Sequence, residues 1–329
     1  MTGKKILVAG ELNIDIILNQ IHGFPRIGEE ILADKINVAL GSSSAIFACN
    51  IATLGVTTAF AGMIGDDSFG RFIIKELKKK DINTDLVIAT KEYNTGVTVV
   101  LNYEQDRANV THCGAMDFFR ATSIASNTLS QFNHLHFSSY FLQKAIQKDI
   151  VDLFKSAKEK GLSTSLDLQW DPENKWDFPY KDCLPFVDIF LPNESEIILL
   201  ANEDELEKAI NKIGKFANKI VVKRGIKGAV CYEQGKLTSS DPFLHDCFVD
   251  AIGAGDSFNA GFIYKFLDGC TLDEALQFAN LAGAINTTES GGTLAFSSLL
   301  AFNDKVKKIF NLILENNDTK RKTKRSNGK

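Results

Sequence analysis

Apolar and polar positions alternate between two regimes along this chain. KKILVAG (4–10) is a short continuous apolar run that predicts a buried first strand, and TTAFAGMIG is a second. AIFACNIATLG and SFGRFIIKELKKK carry apolar residues at helical spacing, the first behind serines suited to capping it. From residue 134 onward the regimes trade places: HLHFSS, AIQKDIVDLFKSAKEKG, STSLDL, VDIFLPN, DELEKAINKIGKFAN, KIVVKRG, GAVCYEQGKL. Strands alternating with helices of this length imply crossover connections, hence a mostly parallel sheet covered on both faces.

Two stretches break that rhythm. Residues 15–40 are glycine-marked and irregular, and 95–111 alternate like exposed strands about a polar turn; they are expected to form a separate small β-sheet. The last third ends in two predicted helices, GDSFNAGFIYKFLDG and LDEALQFANLAGAINTT, the first entered from a strand-like HDCFVD. One body over 1–316 is expected, followed by a basic, disordered tail over 317–329.

Composition changes this picture little. With 44% hydrophobic residues in 329, the chain has material for a buried core. The formal net charge is −4 although six lysines and arginines crowd the last thirteen residues, so the body is the more acidic part, which argues against broad nucleic-acid binding. Six scattered cysteines form no CxxC pair and read as reduced thiols. No apolar run approaches the length of a membrane span or a signal peptide, and a cytoplasmic protein is expected.

Ligands of open parallel sheets sit at the carboxyl ends of strands, which directs attention to four groups. Asn13 and Asp15 follow the first strand, Gly41 and Ser42 precede the first helix, Asn193 and Glu196 follow VDIFLP, and GAGD occupies 253–256. A glycine turn opening a helix offers unpaired amides and the positive dipole end to an anion. Each group also has a plain structural reading: a turn, a helix start, the Asn193–Glu196 capping box, a carboxylate complementing a dipole. His134 and His136 alternate on a strand without ligand partners and are expected to pack or face solvent.

In order and spacing these groups resemble the ribokinase-like (PfkB) carbohydrate kinases over nearly the whole body. DAIGAGDSFNAGF is similar to the family's second signature and LGSSSAIFACNIATLG to its first; GELNID, GMIGDDSFG, LPNESE and VVKRGIKGA resemble its other conserved stretches. The resemblance implies a three-layer α/β/α fold with a β lid, and an ATP-dependent sugar kinase with Asp256 as base. Gly253, Ala254 and Gly255 would supply the anion hole, and Asn13, Asp15, Gly41 and Ser42 would meet the sugar. Lys223, Gly225, Gly228 and Asn280 would line the nucleotide. Asn193 and Glu196 would hold Mg²⁺ through water, and Asp250 a monovalent cation such as K⁺. It further implies a homodimer formed through the lid.

The chain departs from the pattern at Ser42 and Ile46, where the family carries Gly and a substrate-contacting Asn. A branch acting on sugar acids carries DxNxR, where this chain has Gln169 and Asp171; a negative Asp171 would repel an acidic sugar, so a neutral one such as ribose or fructose is expected. A nucleoside kinase of the same fold and a non-catalytic sugar sensor are the alternatives. A dinucleotide oxidoreductase would need GxGxxG after the first strand, and VAGELNID lacks it.

Overall fold

The computed structural model describes residues 3–103 and 107–314. The tail 317–329 and three residues inside the expected lid therefore lie outside the described residues.

In chain order the strands are β1 (Lys5–Gly10), β2 (Asn13–Ile21), β3 (Ala33–Leu40), β4 (Thr57–Gly65), β5 (Asn83–Thr90), β6 (Gly96–Asn102) and β7 (Arg107–His112). They continue as β8 (His134–Ser138), β9 (Ser163–Asp167), β10 (Ile189–Phe190), β11 (Lys219–Lys223), β12 (Ala229–Glu233) and β13 (Lys236–Ser240). Nine form one sheet in the order β13-β12-β11-β10-β9-β8-β1-β4-β5. It is parallel from β11 to β5 and antiparallel at the β11/β12 and β12/β13 edge.

Alternation along β1 shows why the first run is apolar throughout. Leu7 and Ala9 enter a core shared with helices α3 (Ile150–Glu159), α4 (Glu194–Ala201) and α5 (Leu206–Ile213). Ile6 and Val8 enter the core on the other face, beneath α1 (Ser43–Thr53), α2 (Ser68–Lys78), α6 (Ala254–Leu267) and α7 (Leu272–Asn286). Buried on both faces, such a strand has no polar side to show.

The two irregular stretches do form their own sheet, in the order β3-β2-β6-β7. Asp67 anchors it: as the N-cap of α2 it accepts from Gly70 N, and its other oxygen accepts from Thr95 N at the foot of β6. These hydrogen bonds hold its carboxyl below the usual range against the opposing effect of burial.

Three expectations change. HDCFVD forms no strand: it follows Pro242 as an irregular segment whose Val249 N–H donates to the Thr287 carbonyl. A third helix, α8 (Leu299–Phe310), follows the two predicted at the end, burying Phe302 and Val306 in a small core with Phe296. Asp171 caps a turn, accepting from the backbone N–H groups of Glu173, Lys175 and Trp176, so its charge is engaged by backbone. His134 and His136 are buried as packed residues, bonded to Ser163, Ser165 and Ser138, with His136 stacked on Phe47.

Candidate active site

The turn 252–256, opening α6, separates two cavities. On one side a polar cavity of about 210 Å³ is lined by Asn13, Asp15, Ser42, Gly253 and Asp256. On the other an apolar cavity of about 320 Å³ is lined by Lys223, Gly225, Gly228, Ala254, Gly255 and Asn280. One turn thus presents a carboxyl to the first space and backbone to the second.

Gly253 makes the turn possible. Its φ is 73°, and a Cβ would lie 2.5 Å from Gly292 Cα and 3.0 Å from Ile46 Cγ2. Ile46 therefore stands at this position as packing for the turn. The first intrahelical bond runs from Ser257 N to Gly253 O, so the amides of 254–256 precede it without helical carbonyls. That of Ala254 leans to the Ala251 carbonyl at 3.3 Å.

Asp256 is nearly buried yet reaches the polar cavity. Burial first, and Asp167 second, push its carboxyl up to about 7 against the pull of Lys223 and Arg107. Gln169 Nε2 orients it, donating to Asp256 Oδ1 at 3.1 Å and to Asp167 Oδ2 at 2.9 Å. Asp167 Oδ2 also receives Lys223 Nζ at 2.6 Å and Asn259 Nδ2 at 2.6 Å. Burial would lower the Lys223 ammonium; Asp167 and Glu196 outweigh it and raise the pKa. Gln169 holds φ 60°, and Ser42 and Ser139, on the same cavity, hold 72° and 63°. Such backbone strain outside glycine clusters at functional sites.

In the polar cavity Asn13 Nδ2 donates to Asp15 Oδ1 and to Thr98 Oγ1 on the lid, each at 3.0 Å. Burial raises the Asp15 carboxyl to about 6, with the Asn13 bond and Arg107 opposing. Gly41 is not on the cavity wall. A Cβ there would sit 2.7 Å from both Asn13 Nδ2 and Asp15 Cγ, so its glycine makes room for that pair. The Ser42 hydroxyl is already committed, donating to the Glu11 carbonyl at 2.6 Å and accepting from Ala45 N as the cap of α1.

Asn193 and Glu196 form the capping box of α4 and line neither cavity. They stand beside the site, Asn193 bridging Lys223. Burial and then Asp167 raise Glu196 to about 7, with Lys223 opposing. Asp250 accepts from Ile252 N and Gly291 N, tying the turn to the 290–292 loop. Asn280 Nδ2 donates to the carbonyls of Ser240 and Asp241 at the wall of the apolar cavity.

Sequence reasoning missed Asp167, Asn259, Glu11 and Arg107. Asp167 ends β9, and the rule about strand ends that selected Asn13 selects it too. Glu11 borders the polar cavity with its carboxyl on Ser44 N and the Ser44 hydroxyl; burial pushes it up to about 7. Arg107 reaches the same cavity from β7 of the lid.

A parallel sheet with two adjoining cavities, joined by a helix entrance that carries a buried carboxyl, defines an enzyme that moves a group between two small ligands. The pfkB family carbohydrate kinase pattern matches residues 3–298, and the chain belongs to that family: it is a phosphotransferase with an alcohol group as acceptor. It is similar to a ribokinase of Bacillus subtilis, 26% identical over 289 residues that cover 88% of this chain and 94% of the relative. A 2-dehydro-3-deoxygluconokinase of the same organism is 27% identical over 276 residues, covering 77% and 82%. Among solved structures, an E. coli protein described as a ribokinase II, in complex with ATP and Mg²⁺, superposes with a TM-score of 0.80 at 24% identity. That match covers 93% of this chain and 99% of the other. Among the described residues no helix is long and apolar enough to cross a membrane.

Proposed function

We propose that this chain transfers the γ-phosphoryl group of ATP to a primary hydroxyl of a neutral monosaccharide such as ribose or fructose, in the cytoplasm, with Asp256 as the base. The observation that carries this reading is the position of the 252–256 turn as the shared wall of a polar and an apolar cavity. The sugar fills the polar side, where Asn13 and Asp15 hold its hydroxyls. The adenine fills the apolar side, with the phosphates running toward Lys223 and the helix entrance.

Phosphoryl transfer asks mainly for alignment and charge stabilisation. Gln169 holds Asp256 Oδ1, leaving Oδ2 to accept the proton of the attacking hydroxyl. Backbone amides over 253–256 then meet the charge gathering on the transferred oxygens, in a site the lid keeps dry.

The residues fit a Mg²⁺ ion. Asp167, Glu196 and Asp256 surround one lysine; burial first, and the Asp167 charge second, raise Glu196 and Asp256. Among the described residues no three His, Cys, Asp or Glu side chains are grouped to hold a metal ion directly. When bound, Mg²⁺ offsets phosphate charge; Glu196 and Asn193 would hold it through water.

The lid also serves as a dimer surface in this reading. Its register sets Val38, Ile16, Val99 and Val110 in one row across the sheet, with Val38 and Val110 exposed. Light scattering at micromolar concentration should give twice the monomer mass.

A second reading has its own observation. With Asp171 turned away, Arg107 is the charge that enters the polar cavity from the lid, which favours an acidic or phosphorylated sugar. ADP release with ATP and Mg²⁺ across pentoses, hexoses, keto sugar acids, sugar phosphates and nucleosides decides between them. Turnover of a neutral sugar is expected; release with nucleosides alone, or with no acceptor, contradicts the proposal.

A further inference from the structure

We propose that side-chain amides hold the phosphate-gripping turn of this enzyme in place of a monovalent cation, with Asn286 as the positioning residue and turnover independent of K⁺. The inference rests on the kinase reading above and concerns how its anion hole is built. The family resemblance implies a cation beside Asp250, which would require the Asp250 carboxylate and neighbouring carbonyls to point together at one empty centre. The residues present do not fit that requirement.

Asn286, the last residue of α7, is fully buried and its Nδ2 donates to the Ile252 carbonyl at 2.6 Å. That oxygen belongs to the residue just before Gly253. The Asp250 carboxylate is likewise turned to backbone: Oδ1 accepts from Ile252 N at 2.9 Å and Oδ2 from Gly291 N at 3.0 Å. Across the turn, Asn50 Nδ2 donates to the Gly292 carbonyl at 2.9 Å and to Ser257 Oγ at 2.8 Å. Oxygens that could face a cation therefore face N–H groups, and an amide NH₂ at hydrogen-bond distance occupies the space beside the oxygen it meets.

The orientation of the two amides supports the same conclusion. Each amide meets the turn through its Nδ2, while Asn50 Oδ1 and Asn286 Oδ1 are buried without a hydrogen-bond partner. Together the contacts stitch 250–253 to the end of α7 and to the 291–292 loop. Gly292 in turn limits where Gly253 can lie. The amide of Asn286 thus fixes, from one residue away, the backbone that meets the phosphoryl group, and acts through Ile252 without touching substrate.

The test compares KCl with tetramethylammonium chloride at equal ionic strength. The parent is expected to melt within about 1 °C in the two salts, since a cation bound only by the folded state would raise the melting temperature by mass action. Its kcat should agree within about two-fold. Asn286→Ala should lose about ten-fold in kcat, with KM for ATP and sugar within about two-fold, because preorganisation acts on the transition state. Asn286→Asp, which removes the donor and adds a carboxylate beside Asp250, should melt higher in KCl alone.

A K⁺-specific rise in the parent's melting temperature, or ten-fold stimulation of its turnover, would overturn the proposal and place the cation on the two orphaned amide oxygens. Parent-like kcat in Asn286→Ala without K⁺ would remove the positioning role. The melting comparison on the parent needs no acceptor and no variant, so it decides the cation question even if every acceptor fails and the kinase reading falls.

Discussion

The two cavities on either side of residues 252–256 are built from opposite materials. The polar one gathers Glu11, Asp15, Arg107 and Asp256 around Asn13, and three of its residues hold strained backbone. The apolar one is walled by residues such as Ile226, Pro242, Phe243 and Ala284, with Asn280 as one of few polar groups. A flat base can be held by shape and burial alone, whereas a polyol must be held by placed donors and acceptors. On the proposed reading, specificity for the acceptor resides in side chains from the lid and strand ends, and the nucleotide side can stay generic. Between them, the Asp167–Lys223 pair and Gln169 link Asp256 to the wall of the apolar cavity.

The severest way to break this arrangement is to cut that coupling. Asp167→Ala takes from the buried Lys223 ammonium the carboxylate that meets it at 2.6 Å; a loss of about 3–5 kcal/mol in stability is expected by chemical denaturation, with turnover abolished. Arg107→Ala separates the two sides and sharpens the substrate assignment. For a neutral sugar, KM should change by less than about three-fold; for an anionic one, KM for the sugar should rise about 30-fold or more with KM for ATP unchanged. Asn280→Ala is the complementary cut, expected to raise KM for ATP about two- to five-fold through loss of its bonds to the 240–241 carbonyls, leaving the sugar untouched.

The smallest effect concerns pH and stability. Burial pushes the Asp256 carboxyl from the ordinary 3.8 up to about 7 in the fold, so between those values the folded state alone holds the proton and stability falls as pH rises toward 7, levelling off above it. Asp256→Asn should therefore melt higher than the parent at pH 8, by on the order of 3 °C, with the gap closing as pH falls toward 5. Thermal scans across that range check it; a variant less stable at pH 8 would mean the carboxylate is not held at a cost.

Local chemistry was legible where it is written in consecutive residues. The alternation of apolar runs carries the parallel sheet, and the polar interruptions at 15–40 and 95–111 carry the four-stranded sheet. The glycine turn before α6 and the capping box at Asn193 follow from backbone rules alone. What escaped depends on distant segments meeting. Asn259 and Asp167 are 92 residues apart in the chain, Gln169 and Asp256 87, and no spacing announces such pairs. Asp171 misled for the converse reason: its charge seemed free to act on a ligand, but three nearby amides had claimed it. HDCFVD looked strand-like by its apolar residues, of which Phe248 instead borders the apolar cavity.

The account turns on whether Asp256 accepts a proton at the moment of transfer. A single measurement addresses it: turnover of Asp256→Asn with ATP and the best acceptor, with both ligands' affinities measured by calorimetry on the same preparation. The expected result is unchanged binding of each ligand within about three-fold and kcat lower by about 10³ or more, because the carboxamide keeps the Gln169 bond and cannot take the proton. Turnover within a few-fold of the parent, with both ligands bound as before, would contradict it.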